Sequence, residues 1–148
     1  MKINKEEIKK VLPHREPFLL VDEIIEFKEG EYSIGKKYID PDDSVFKGHF
    51  PNNEVYPGVL LIEIMAQVGA YAILSEENNK GAIAYFTGIK NAKFRKMVLP
   101  GDEVIINCNL TDMRRNIGFA EAKAYVKDKL VCQCVLSFAI SDHRNLLL

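Results

Sequence analysis

Between residues 59 and 74 nearly every side chain is apolar, and the apolar positions run round all sides of a helix rather than along one stripe. Such a helix either crosses a membrane or is wrapped by protein. This one falls short of the ~20 residues that a crossing needs. It also carries Glu63 and Gln67 within it, so burial in protein, with no membrane span, is the reading. Pro57 suits the first helical position, where its missing N–H costs nothing.

The flanking pattern is β-prone. Residues 18–27 and 32–39 read as strands joined by a turn at Gly30, and residues 81–94, 103–113, 119–127 and 130–140 read as further strands. Turn residues separate the later ones at Pro100-Gly101, between Asn116 and Gly118, and at Asp128. A short helix opens the chain, with Asn4 as its cap, Glu7 three residues on, and Ile8 and Val11 on one face. Residues 40–56, rich in Pro, Asp, Asn and Gly, read as loop. One long helix inserted into a run of strands is an α+β pattern rather than βαβ alternation. An antiparallel sheet curled around the helix would supply its cover. No repeat or long linker interrupts the pattern, so residues 1–148 are taken as one domain.

Charge and cysteine usage narrow the function classes. The net charge of −1 provides no basic excess for nucleic acid. The start, Met1-Lys2-Ile3-Asn4-Lys5-Glu6-Glu7, is charged and has no apolar run after it, so no secretory leader is expected and a cytoplasmic location is. The three cysteines, Cys108, Cys132 and Cys134, lie in strand-like segments. Cys132 and Cys134 would share a strand face. Without Cys-x-x-Cys or a nearby His pair, no metal site is expected, and they read as buried thiols.

Chemistry concentrates around the helix. Glu63 and Gln67 stand four residues apart, on one helix face and within hydrogen-bond reach. A carboxyl held away from water favours its protonated form and makes a competent general acid. The competing reading is a Glu neutralised by a buried Arg or Lys from elsewhere. Upstream, Lys47-Gly48-His49-Phe50-Pro51 places a histidine between Gly48, which permits tight backbone geometry, and the restricted Phe50-Pro51. Such a histidine is a candidate base near neutral pH. His14 and His143 read as ordinary loop histidines. Tyr56-Pro57-Gly58-Val59 sets unpaired N–H groups at the helix start, where developing negative charge is stabilised, and Gly58 would let a ligand approach the backbone. A base, a protected carboxyl and an oxyanion-accepting helix start are the parts of a β-elimination.

These residues also carry a resemblance. Gly48-His49-Phe50-Pro51, Tyr56-Pro57-Gly58-Val59-Leu60, Glu63 and Ala66-Gln67 closely resemble the signature of FabZ-type (3R)-hydroxyacyl-[acyl-carrier-protein] dehydratases. Leu12-Pro13-His14-Arg15-Glu16-Pro17-Phe18-Leu19-Leu20-Val21-Asp22 is similar to the family's N-terminal motif. Gly88-Ile89-Lys90-Asn91-Ala92-Lys93-Phe94-Arg95, followed by Pro100-Gly101-Asp102, is similar to a later one. The resemblance implies a hot-dog fold, with homodimers assembled as a trimer of dimers into a homohexamer. It implies a shared site in which His49 of one subunit faces Glu63 of the other.

In the mechanism so implied, His49 takes the α-proton and Glu63 assists loss of the hydroxyl as water. Backbone N–H groups at Gly58 and Val59 polarise the thioester carbonyl, and Gln67 orients Glu63. The substrate implied is a 3-hydroxyacyl chain on the phosphopantetheine arm of acyl carrier protein, in type II fatty-acid synthesis, with no metal or dissociable cofactor. Phe50, Tyr56 and Tyr85 are placed along the acyl tunnel. Arg95 and Lys96 are the preferred carrier-docking residues, because an acidic carrier needs a basic surface. The related FabA-type dehydratase/isomerases carry Asp where Glu63 stands, so Glu favours the FabZ type. Asn53-Glu54-Val55-Tyr56 departs from the commoner Pro- and Met-containing segment, and a bulkier Tyr56 would narrow the acyl path. The rival reading, a hot-dog acyl-thioesterase, explains neither the Gly48-to-Pro51 loop nor its spacing to Glu63. A non-catalytic acyl-binding subunit would lack one of the pair.

Overall fold

The computed structural model describes residues 2–141. His143 lies outside the described residues. The chain opens with α1 (Lys5–Ile8), whose start is a capping box. Asn4 Oδ1 accepts from the Glu7 amide at 2.9 Å, and Glu7 Oε1 accepts from the Asn4 amide at 3.2 Å. Two strands follow, β1 (Glu23–Lys28) and β2 (Tyr32–Tyr38), then a loop with one 3-10 turn at Ser44–Lys47. The long helix α2 (Gly58–Leu74) precedes β3 (Ile83–Phe94), β4 (Glu103–Arg114), β5 (Ile117–Val126) and β6 (Lys129–Ser141). All strand pairs are antiparallel, in the order β1-β2-β4-β5-β6-β3. Every strand touches α2, so the sheet wraps the helix as a hot-dog fold.

Burial explains why α2 tolerates apolar residues on every side. From Leu61 to Leu74 only Glu63 retains appreciable exposure, while Ile64, Met65, Val68 and Ile73 are fully enclosed. Each such side chain contributes about 1.5–3 kcal/mol by leaving water. Two glycines set the helix–sheet spacing. A Cβ on Gly35 of β2 would stand 2.5 Å from Val68 Cγ2, and one on Gly69 would stand 2.6 Å from Cys108 Sγ. The three cysteines are buried thiols, with Cys108 and Cys134 pushed up to about 12 and Cys132 to about 11 by burial. No helix among the described residues is long and apolar enough to cross a membrane.

Two expectations need correction. The strand expected over 18–27 begins only at Glu23. Its apolar front half is buried at Leu19 and Val21, but its backbone groups do not enter the ladder. The Phe18 and Leu19 amides donate to the Arg15 carbonyl, and the Leu20 and Val21 amides donate to Gln67 Oε1. A side chain has replaced a neighbouring strand. Pro57, for its part, is the N-cap (φ −61°, ψ 130°), and Gly58 is the first helical residue.

Candidate active site

Gln67 is fully buried and uses all of its hydrogen-bonding capacity. Its Oε1 accepts from the amides of Leu20 at 2.9 Å and Val21 at 3.3 Å. Its Nε2 donates to the Phe18 carbonyl at 2.8 Å and to Glu63 Oε2 at 2.9 Å. The segment before β1 is thereby tied to α2, and Glu63 is fixed one turn away from the tie. Burial pushes the Glu63 carboxyl above the ordinary carboxylate range, and the Gln67 N–H opposes this in part. No Lys or Arg among the described residues forms an ion pair with Glu63. The neutralising cation of the competing reading is therefore not found there. What faces the carboxyl is a cavity of ≈ 370 Å³ between α2 and β3, walled mainly by Phe18, Ala66, Ala70, Phe86 and Phe138, with Tyr85 on the same wall.

That cavity also contains His14, which corrects its reading as an ordinary loop histidine. Its Nε2 lies 3.8 Å from Glu63 Oε2, and only 21% of its side chain is exposed. Its Nδ1 is buried without a hydrogen-bond partner. Burial, aided by the charge of Arg15, pushes its imidazole below the usual histidine range. The Arg15 guanidinium is turned away, donating to the carbonyls of Leu12, His14 and Lys9. A signal was present in the sequence: Pro13 and Pro17 bracket His14 as rigidly as Phe50-Pro51 follows His49.

His49 is half-buried at the head of a tied loop and does not line the Glu63 cavity of its own chain. Its Nδ1 is 2.7 Å from the Val55 carbonyl, and its ring stacks on Phe50 at 4.0 Å between centroids. The loop closes on itself through Phe50 and Asn53, which exchange backbone hydrogen bonds at 3.1 and 2.9 Å around Asn52 (φ 62°). The Tyr56 amide then anchors it to the Val98 carbonyl at 2.8 Å. Gly48 has helical dihedrals and open space where a Cβ would stand, so the tight geometry expected of it is not required.

At the start of α2 no side chain caps the helix. The amides of Leu60 and Leu61 both return to the Pro57 carbonyl, so Gly58 and Val59 stand ahead of the first helical hydrogen bonds. Gly58 is fixed by packing: a Cβ there would stand 2.6 Å from the Phe94 ring. Gly58, Val59, Arg95 and Lys96 border a second hollow of ≈ 730 Å³. Arg95 Nε donates to Gln133 Oε1 at 3.0 Å. The expected tunnel residues divide. Tyr85 lines the Glu63 cavity, whereas Tyr56 borders the second hollow with its ring buried against Phe46 and its hydroxyl unpartnered. Burial raises that hydroxyl's pKa. Phe50 is exposed beside His49. No cluster of three or more metal-ligating side chains occurs among the described residues.

The model of the FabA-like domain matches residues 12–135. Among relatives, the 3-hydroxyacyl-[acyl-carrier-protein] dehydratase FabZ of Staphylococcus epidermidis is 47% identical over 136 residues, 92% of this chain and 94% of the relative. The FabZ of Bacillus cereus strain AH187 is 44% identical over 143 residues, 97% of this chain and 99% of the relative. The solved dehydratase heterocomplex ApeI:P of Xenorhabdus doucetiae superposes with a TM-score of 0.76 at 18% identity, covering 90% of each chain. A thioesterase from Haemophilus influenzae superposes with a TM-score of 0.62 at 19% identity, covering 82% of this chain and 78% of its own. At those identities the two structures report the fold alone. The sequence matches, nearly full-length, decide the family: the chain belongs to the FabA-like family, among the FabZ-type dehydratases.

Proposed function

We propose that the chain removes water from a (3R)-3-hydroxyacyl group carried on the phosphopantetheine arm of acyl carrier protein, leaving a trans-2-enoyl thioester. The observation that carries this reading is the half-buried, Gln67-held Glu63 carboxyl facing an apolar cavity. Burial raises its pKa and so favours the protonated form, the form that gives a proton to the departing hydroxyl. His49 is the base. With Nδ1–H donating to the Val55 carbonyl, Nε2 keeps its lone pair free for the α-proton. The C–H electron pair becomes the new double bond, the C3–O bond breaks, and the hydroxyl takes the Glu63 proton and leaves as water. Amides of Gly58 and Val59, aided by the positive end of α2, hold the developing charge on the thioester oxygen. Only proton transfers and C–O cleavage are needed, so the reaction calls for no dissociable cofactor.

The site in this reading is shared between two subunits, because His49 stands off the wall of its own chain's Glu63 cavity. The edge strand β3, with Phe86, Ile89 and Phe94 exposed along it, is the surface for a second copy. Such dimers would assemble in threes to a hexamer. The carrier would dock at Arg95 and Lys96, beside the helix start, and the reaction would take place in the cytoplasm.

The test follows water loss from 3-hydroxybutyryl-carrier by wild type, His49→Ala and Glu63→Gln. Loss of an acid or base should lower kcat about 10²–10⁴-fold, and full activity of either variant refutes its assigned role. Mixing the two inactive variants under subunit exchange should restore one intact site per heterodimer. No recovery despite demonstrated exchange would refute sharing. Release of free carrier without enoyl formation would support the thioesterase reading instead.

A further inference from the structure

His14 is the one titratable group within ion-pair distance of Glu63 among the described residues, and it reaches the same oxygen, Oε2, that Gln67 holds. The unpartnered Nδ1 decides how the neutral ring is protonated. A proton on Nδ1 would bury an unpaired donor and turn a bare nitrogen lone pair toward the carboxyl. A proton on Nε2 leaves only an unpaired acceptor and aims a donor at Oε2. The second arrangement has the lower cost whenever Glu63 is charged.

The separation then acquires meaning. At 3.8 Å the two atoms stand beyond hydrogen-bond distance. A closure of about 1 Å would give a charge-assisted bond once the carboxyl has lost its proton. An interaction absent from the ground state and made as charge develops stabilises the transition state selectively. We propose that His14 is a positioning residue for Glu63: its Nε2–H, together with the Gln67 N–H, holds Oε2, leaving Oε1 as the oxygen that delivers the proton to the substrate hydroxyl. The inference rests on the reading of Glu63 as the acid. The other titratable groups around the pair are Arg15, next in the chain, and Tyr85, on the β3 wall of the cavity.

The experiment measures kcat and KM against pH for wild type, His14→Asn, His14→Gln and Glu63→Gln on 3-hydroxybutyryl-carrier. Glutamine carries its amide nitrogen to about the place of Nε2, whereas asparagine reaches only about as far as Nδ1. His14→Asn should lower kcat by about tenfold to a hundredfold with KM nearly constant. Losing a donor to the carboxylate raises the Glu63 pKa, and the protonated acid is the active form. The alkaline limb of the kcat profile should therefore move to higher pH in His14→Asn. His14→Gln should recover most of the rate and return the limb. Wild-type kinetics in His14→Asn, an unmoved limb, or a loss that glutamine does not rescue would each overturn the proposal. If Glu63→Gln is inactive while His14→Asn behaves as wild type, only the role of His14 fails. If Glu63→Gln is fully active, the reading of Glu63 itself fails.

Discussion

Replacing Gln67 with Met keeps the length of the side chain and removes all of its hydrogen bonds. The amides of Leu20 and Val21, now donating to Oε1 at 2.9 and 3.3 Å, lose their acceptor. The Phe18 carbonyl loses a donor at 2.8 Å, but Phe18 is 51% exposed and borders the cavity, so water can replace it. The uncompensated loss then falls on two amides at about 1–2 kcal/mol each, or about 2–4 kcal/mol in all. Against a usual stability of about 5–15 kcal/mol, the variant stays folded in dilute buffer. Urea unfolding should show a lower midpoint at unchanged slope. Amide exchange should accelerate at Leu20 and Val21 well beyond the change at strand positions such as Ile106. Enoyl hydration should also slow, because Glu63 loses its one short hydrogen bond. A midpoint shift worth less than about 0.5 kcal/mol, or exchange unchanged at both amides, would refute Gln67 as the clamp between segment and helix.

Glu63→Gln should be more stable than wild type at pH 7, and the advantage should vanish below pH 4.5. Burial raises the folded carboxyl above its ordinary 4.5, so the unfolded chain releases its proton first and wild-type stability falls as pH rises through that window, which melting curves across pH would detect. Tyr56→Phe removes a buried hydroxyl that has no partner and should gain about 1 kcal/mol in urea unfolding; a loss would show that the hydroxyl is bonded in solution. Gly69→Ala improves helix propensity by about 1 kcal/mol but sets a Cβ 2.6 Å from Cys108 Sγ. A net loss of about 1 kcal/mol is expected, recovered by adding Cys108→Ala; an unrecovered loss would locate the strain elsewhere. Arg95→Glu should raise KM for carrier-bound substrate, less so at high salt, and leave the reaction of a short free thioester unchanged; equal effects on both substrates would remove Arg95 from the docking surface.

What could be read from the sequence was what short-range pattern determines. The helix from Gly58, the strands after it and the Asn4 capping box all follow from spacing within a few residues. The segment at 18–22 shows where that ends. Its apolar run satisfies the same test as a strand, and burial at Leu19 and Val21 agrees with it. The missing ladder is set by Gln67, whose side chain arrives from 46 and 47 residues away in sequence. No periodicity in either segment records that contact.

The same distinction separates the histidines. Glu63 was visible because a carboxyl inside an apolar helix is anomalous by itself, and Gln67 because it lies one turn on. His14, although bracketed by Pro13 and Pro17, shows its relation to the carboxyl only once Phe18 is tied to Gln67, since that tie lays residues 13–18 against α2 and brings the imidazole to 3.8 Å from the carboxyl. His49, by contrast, drew attention through its loop, yet it stands off the wall of its own chain's Glu63 cavity. The acid half is thus assembled within one chain by contacts that single-segment patterns do not encode. The base half, on the shared-site reading, awaits a second copy. Gln67→Met should consequently disturb the acid in the isolated chain, whereas a change that blocks β3 pairing should abolish activity while leaving the Leu20 and Val21 amides protected from exchange.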